Sequence, residues 1–219
     1  MDLQQALDAV RTSLAAKMPE RAKLYKDKVE ELRRSFPVGQ VLMPGATVPD
    51  FTLPDAHGRP VSLSERLRGG PVAVVFYRGG WCPYCILQLR ALQAAWETAG
   101  NLGGQPVAVS PQMQKASLST VEANRLGFDV LSDQGNMVAR SFGIAYVVAP
   151  EVQSALAESG KALPGINGDD TWELPLTASY VIAPDRTIAL ADIELDYRRR
   201  MEPAELLKAL SPLQARAAA

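Results

Sequence analysis

A Cys-x-x-Cys pair in the segment Trp81-Cys82-Pro83-Tyr84-Cys85 constrains the fold of this chain more than any other feature. These two cysteines are the only ones among 219 residues. They follow a valine-rich apolar run at 72–77 and precede a run of apolar residues at helical spacing. A Cys-x-x-Cys pair between a buried strand and a helix is typical of a redox site. The motif therefore predicts an α/β fold with thiol chemistry at this junction.

The rest of the chain alternates between short apolar runs and helical patterns. Together they predict an α/β three-layer sandwich with a central mixed β-sheet, because right-handed crossovers place helices on both faces of such a sheet. A small hairpin is predicted from 51–53 and 61–63, with a short helix capped by Ser64 after it. Further strands are predicted at 72–77, 106–110, 128–131, 178–183 and 188–193, and helices from Cys82 to near Gly100 and at 112–126, 136–142, 150–159 and 202–210.

Two domains or regions are predicted. The pattern of residues 1–36 predicts an N-terminal arm of two helices, with Pro19 in the first turn of the second helix. Residues 37–219 form the main domain, with an irregular insertion at about 145–176 that includes a loop at 164–170. We expect the arm to pack on the domain or on a partner subunit, and a homodimer is compatible with this arrangement.

Composition excludes several function classes. The net charge is −1 and no basic stripe is present, so we expect no nucleic-acid partner; Arg198-Arg199-Arg200 is predicted to be a solvated patch. No apolar stretch approaches the length of a membrane span, and we expect no membrane partner. The N-terminal residues do not resemble a secretory signal. We therefore expect a cytoplasmic protein, in which a disulfide is transient.

The position of Cys82 predicts a reactive thiol. Pro83 fits the first position of a helix, so Cys82 would cap that helix and face its unpaired N–H groups and positive dipole end. Such cysteines have pKa values of ~3.5–7.5. Cys85 lies one helical turn deeper and can resolve an intermediate on Cys82. Its own pKa is expected to be the higher of the two.

Other uses of the cysteines fit less well. A structural zinc site needs four Cys or His ligands, and this chain has two cysteines and one histidine, so no metal site is predicted within one chain. His57 as a general base for Cys82 competes with a simpler interpretation, an exposed histidine in the turn 55–58. Two inert buried cysteines are the remaining alternative.

Several separated motifs resemble the peroxiredoxin-like branch of the alkyl hydroperoxide reductase / thiol-specific antioxidant family. The resemblance covers about residues 40–211 and leaves out the arm. It is carried by the segments Gly45-Ala46-Thr47-Val48-Pro49-Asp50-Phe51-Thr52-Leu53, Phe76 to Cys85, Leu131-Ser132-Asp133, Val138 to Gly143, and Asp196-Tyr197-Arg198-Arg199-Arg200-Met201-Glu202-Pro203. It implies a thioredoxin-like fold and an antioxidant enzyme without a cofactor.

The resemblance also implies roles for single residues. Cys82 takes the peroxidatic position and Cys85 the resolving one, with a Cys82-Cys85 redox disulfide. Two positions depart from the pattern: Gly79 stands where typical members have Thr or Ser, and Thr177 where they have an arginine near the sulfur. Arg78 can supply that missing charge, although a solvated loop arginine is an equally good interpretation. Thioredoxins have a cis-proline at the position of Thr177, and here the nearest proline is Pro175.

Three functions stay open at this point. The first is a thiol peroxidase that reduces hydrogen peroxide or alkyl hydroperoxides and is restored by a thioredoxin- or glutathione-type reductant. The second is a thiol:disulfide oxidoreductase, since Cys-Pro-Tyr-Cys is also similar to the glutaredoxin motif. The third is a non-catalytic interaction module. In either enzyme, Trp81 and Tyr84 would line the reactive groove, and Trp172 would form another wall.

Overall fold

A computed structural model describes residues 2–99 and 106–217 as helices and strands in alternation. The helices are α1 (Leu3–Lys17), α2 (Pro19–Ser35), α3 (Leu63–Leu67), α4 (Pro83–Ala99), α5 (Gln114–Asn124), α6 (Met137–Ser141), α7 (Pro150–Glu158), α8 (Leu163–Asn167) and α9 (Pro203–Ala217). The strands are β1 (Thr52–Pro54), β2 (Pro60–Ser62), β3 (Val72–Phe76), β4 (Pro106–Ser110), β5 (Asp129–Ser132), β6 (Ala145–Val147), β7 (Glu173–Pro175), β8 (Thr177–Ile182) and β9 (Ile188–Glu194).

The core of the fold is a mixed five-stranded sheet with the strand order β5-β4-β3-β8-β9. Strands β3, β4 and β5 are parallel, and β8 and β9 are antiparallel to their neighbours. Every residue of β3 is buried. Its side chains alternate between two apolar clusters, one on each face of the sheet, as expected for a strand covered on both sides. The predicted α/β sandwich is confirmed.

The N-terminal arm packs against the main body of the protein. Asp2 caps α1, and Leu7 of α1 is completely buried in the cluster that also contains α4 and α9. The backbone N–H groups of Leu3 and Gln4 donate to the carboxylate of Glu202 near the start of α9. As predicted, Pro19 occupies the first turn of α2, which contacts α7. No described helix has the length and apolarity needed to cross a membrane.

The segment 145–176 is more regular than its sequence suggests. The predicted helix at 150–159 is present as α7. The prediction of a loop at 164–170 is partly wrong. The helix α8 occupies the first half of this segment, with Pro164 in its first turn. Strands β6 and β7 pair across the whole segment, from Ala145 opposite Pro175 to Val147 opposite Glu173. This pairing joins residues far apart in sequence, which a local pattern does not indicate.

Small differences at element ends also have local causes. The short helix α3 begins two residues earlier than expected, with Ser62 rather than Ser64 at the capping position. The helix predicted from Gln112 begins at Gln114, since the chain at 110–113 is still turning away from β4. The predicted end of α4 near Gly100 lies outside the described residues.

Candidate active site

The loop at 77–82, between β3 and α4, is called the approach loop here. It places Cys82 directly before the first residue of α4, the position predicted from the sequence. The N–H of Cys82 donates to Gly79 O at 3.1 Å, and its own carbonyl accepts the N–H of Ile86 at 3.1 Å. Pro83 is the first helical residue. Gly79 has a φ of 139°, and a Cβ atom on Gly80 would lie 2.2 Å from Thr120 Oγ1. Both glycines are therefore needed for the close approach of this loop to α5.

The two thiols lie in contact, and both are reduced. The two side chains lie close enough for each to shift the pKa of the other. Cys82 is 1% exposed and Cys85 is fully buried. Only Cys82 borders the groove described below. A molecule in that groove thus meets Cys82 first, with Cys85 directly behind it.

The order of the two pKa values is the reverse of the order expected from the sequence. Burial raises the pKa of the Cys82 thiol, and its hydrogen bond to Cys85 raises it further. Burial also opposes ionisation of Cys85, but the hydrogen bond from Cys82 and the charge of Arg200 outweigh it and lower the pKa of Cys85 to about 5. The pair therefore shares one negative charge, which rests mainly on the deeper sulfur.

Arg200 adds to the effect of Cys82 in lowering the pKa of Cys85. It was predicted to lie in a solvated patch, and that prediction is wrong because its side chain is only 6% exposed. Its Nη2 group donates to Cys85 Sγ at 3.4 Å, and its Nε group donates to Gln88 Oε1 at 2.8 Å. Arg198 is likewise engaged, in an ion pair with Asp196 at 2.7 Å. Of the three arginines, Arg199 alone is exposed.

Arg78 also lies near the two thiols. Its side chain is 5% exposed, so the interpretation as a solvated loop residue is wrong. The guanidinium carbon is 4.0 Å from the ring centre of Tyr197 and 5.0 Å from that of Trp81, which are cation–π distances. Burial opposes its charge, but facing groups that include Tyr146 and Cys82 hold the pKa of Arg78 above its usual value. A permanent positive charge therefore adjoins the sulfur pair.

An apolar groove of about 910 Å³ leads to Cys82. Its walls come from α1, α2, α7 and the approach loop, so the N-terminal arm forms part of the site. Trp81, Pro83 and Tyr84 line the groove, as predicted for Trp81 and Tyr84. Trp172 is not among the described lining residues and instead packs against the cluster around α7.

A model of the AhpC/TSA family matches residues 44–191, which is more than half of the chain. The chain belongs to the AhpC/TSA family. A chloroplastic peroxiredoxin Q from Sedum lineare is 34% identical over 123 residues, covering 56% of this chain and 65% of that protein. The chain thus spans just under two thirds of that relative.

Solved structures resemble the fold at lower identity. Peroxidoxin BcpB from Mycobacterium tuberculosis superposes with a TM-score of 0.61 at 22% identity, over 78% of this chain and 97% of that chain. Bacterioferritin comigratory protein from Xanthomonas campestris superposes with a TM-score of 0.56 at 15% identity, over 81% and 98% of the two chains. Both support the thioredoxin-like fold of this AhpC/TSA member.

Three residues singled out from the sequence lie away from the thiols. Thr177 is buried in β8, where its hydroxyl donates to Glu194 O at 3.3 Å, and it is not among the described groove-lining residues. Pro175 lies in β7, and its peptide bond is trans, like all others in the described ranges. His57 is exposed in its turn, as the simpler interpretation predicted.

Gln112 is a site residue that sequence reasoning missed. Its Oε1 atom accepts the N–H of Gly80 at 2.8 Å, and its Nε2 group donates to the hydroxyls of Tyr77 and Thr120 at 3.0 and 3.2 Å. This buried network holds the approach loop against the end of β4. The only signal available was the position of Gln112 just after a buried strand.

Arg200 was also missed, although its signal was stronger. It belongs to the closing motif at 196–203, one of the segments on which the family resemblance depends. Because an arginine triplet usually forms a solvated surface, the local pattern hid a buried charge.

Proposed function

We propose that this AhpC/TSA member is a thiol-dependent peroxidase that reduces hydrogen peroxide or alkyl hydroperoxides through a Cys82–Cys85 dithiol/disulfide cycle. The observation that carries the proposal is the contact between the two thiols, with only Cys82 open to a groove. The name of the Sedum lineare relative and the alkyl peroxide reduction described for the Xanthomonas campestris protein support it.

The shared charge gives each thiol a role in the first step. Cys82 attacks the outer oxygen of the O–O bond while its proton passes to the Cys85 thiolate. The O–O bond breaks, the departing oxygen takes a proton from solvent and leaves as alcohol or water, and Cys82 becomes a sulfenic acid. Arg78 stabilises the negative charge that develops on the departing oxygen, in place of the arginine expected at Thr177.

Cys85 completes the oxidative half of the cycle. Its thiol condenses with the sulfenic acid on Cys82, which releases water and forms the disulfide. An external dithiol of the thioredoxin type, or two molecules of glutathione, then reduces the disulfide through a mixed intermediate. A cytoplasmic location and a homodimer stay predictions that accompany this proposal.

A second function is favoured by one specific feature. Gly79 carries no hydroxyl where typical family members have one to orient the peroxide, and a wide apolar groove also suits a peptide. In a thiol:disulfide oxidoreductase, Cys82 would attack a protein or glutathione disulfide and Cys85 would release the product. The same two cysteines serve both reactions, which differ in the first electrophile.

Stopped-flow kinetics distinguish the two functions. We expect the reduced protein to consume hydrogen peroxide or an alkyl hydroperoxide far faster than the Cys82→Ser variant does. Reduction of insulin disulfides is measured on the same samples. A peroxide rate no faster than that of free cysteine, together with rapid insulin reduction, would replace the peroxidase with the oxidoreductase.

A further inference from the structure

Two buried guanidinium groups flank the dithiol without a carboxylate partner. Arg78 and Arg200 are 5% and 6% exposed. In the described ranges, neither forms an ion pair with an aspartate or glutamate, although their neighbour Arg198 pairs with Asp196. A buried cation without a counter-ion is strongly unfavourable. The counter-charge therefore has to come from another group.

Arg200 donates through Nη1 to the carbonyl oxygens of Tyr197 and Arg199, and its other two nitrogens face Gln88 and one sulfur. Gln88 lies on α4 one turn beyond Cys85, and its side-chain oxygen holds the Nε group of Arg200 at 2.8 Å. This hydrogen bond leaves Nη2 pointing at Cys85 Sγ, 3.4 Å away. The Nε group of Arg78, the second buried cation near the thiols, has no hydrogen-bond partner among the described residues.

The other titratable groups around the pair do not supply an anion. Burial raises the pKa values of the neighbouring tyrosines Tyr77, Tyr84, Tyr146 and Tyr197, so all four are neutral. Asp192 lies within the field of Arg200, but burial raises its pKa and it forms no ion pair with Arg200 in the described ranges. The shared thiolate is thus the anion in contact with these cations.

We propose that Arg78 and Arg200 are positioning residues that stabilise the reduced, singly ionised dithiol and thereby make its disulfide strongly oxidising. The proposal rests on the Cys82–Cys85 cycle proposed above. With glutathione disulfide as oxidant, the thiol, the thiolate and one proton give the protein disulfide and two molecules of glutathione. The proton balances the thiolate charge, which disappears when the sulfur–sulfur bond forms. Both guanidinium groups then remain buried with no anion.

The functional consequence concerns the reductant. A disulfide whose reduced form is stabilised has a high reduction potential and is easily reduced. This enzyme would therefore be restored by reductants of modest strength, such as glutathione, and would not require a strongly reducing dithiol. Arg200, which is not among the described groove-lining residues, thus contributes to turnover through the reduction of the disulfide and not through contact with the peroxide.

Redox titration tests the proposal directly. The full-length protein is equilibrated with mixtures of reduced and oxidised glutathione, and the fraction in the Cys82–Cys85 disulfide is measured by mass spectrometry. We expect Arg200→Met to shift the equilibrium constant at least tenfold toward the disulfide, which lowers the reduction potential by about 30 mV. Arg200→Lys should restore most of the wild-type value. Arg199→Met, at the exposed neighbour, is the matched control and should not change it.

Two further measurements separate charge from structure. The thiolate absorbs in the ultraviolet, and we expect this absorbance near neutral pH in the wild type and its loss in Arg200→Met. Arg78→Met should shift the equilibrium in the same direction, which tests the proposal even if Arg200→Met does not fold. Unchanged equilibrium constants in folded Arg78→Met and Arg200→Met variants would overturn it. A wild type that forms no Cys82–Cys85 disulfide in any mixture would instead overturn the proposed function, and this inference with it.

Discussion

The surroundings of the two sulfurs are built from different parts of the chain. Cys82 is placed by its neighbours in sequence: the glycines of the approach loop, Pro83 and the start of α4. The pKa of Cys85 is lowered first by Cys82 and then by Arg200, which lies 115 residues away and donates to its sulfur. The comparison shows that a short motif can position a nucleophile while remote residues decide which thiol is ionised. In this protein the outer sulfur belongs to the residue that borders the groove, and the inner sulfur has the lower pKa.

The largest expected effect comes from replacing one of the two sulfurs at a time. In Cys85→Ser, we expect peroxide turnover with thioredoxin to be lost, because no resolving thiol follows the first attack. The variant should still form a sulfenic acid on Cys82, although more slowly than wild type because the Cys85 thiolate no longer accepts the proton. Trapping with a sulfenic-acid reagent and mass spectrometry measures this step.

The matched control for this experiment is Cys82→Ser. It retains the inner sulfur but should form no sulfenic acid at Cys85, since that atom does not border the groove. Full turnover of Cys85→Ser with thioredoxin would show that the inner sulfur has no resolving role.

The second effect is a pH dependence of the free energy of unfolding, which is caused by the ionisation of Cys85. The pKa of Cys85 is lowered to about 5 in the folded protein, against ~8.5 in an unfolded chain. The unfolded state therefore binds more protons between these values, and stability rises with pH in that window. This contribution is fully present above ~8.5 and is lost as the pH falls through the folded value.

Urea unfolding under reducing conditions measures this dependence. We expect the stability difference between wild type and Cys85→Ser to grow as the pH is raised from about 5 toward ~8.5. The raised pKa of Cys82 acts above that window, where it lowers stability as pH increases. A difference that does not change across the window would mean that the inner sulfur stays protonated.

The smallest effect tests the local construction around the outer sulfur. In Gly80→Ala, the added Cβ would lie 2.2 Å from Thr120 Oγ1, so the loop or α5 has to move. We expect a loss of about 1–3 kcal/mol in the free energy of unfolding and a slower reaction of Cys82 with peroxide. Gly39→Ala is the control, because nothing lies within 4 Å of its added Cβ. Equal stability of both variants would contradict the close packing of the loop.

Much of the fold could be predicted from local patterns. The buried valine run at β3, the helix that starts at Pro83 and the two-helix arm all follow from apolar periodicity and proline position within one element. The position of Cys82 at a helix start is part of the same local information. These features depend on residues that are close together in sequence.

The features that could not be predicted depend on residues far apart in sequence. The pairing of β6 with β7, the network of Gln112 and the contact between Arg200 and Cys85 form only after the chain is folded. The predicted order of the pKa values of Cys82 and Cys85 is wrong for the same reason. The helix dipole acts on Cys82 locally, but burial and the interaction with Cys85 outweigh it and raise the pKa of Cys82.

The most direct test of the account is to map the cysteines after reaction with one equivalent of an alkyl hydroperoxide. The reduced protein is mixed with the peroxide, quenched with an alkylating reagent, digested and analysed by mass spectrometry. The account predicts an intramolecular Cys82–Cys85 disulfide and one molecule of alcohol for each molecule of protein. Two alkylated thiols and unconsumed peroxide would contradict it.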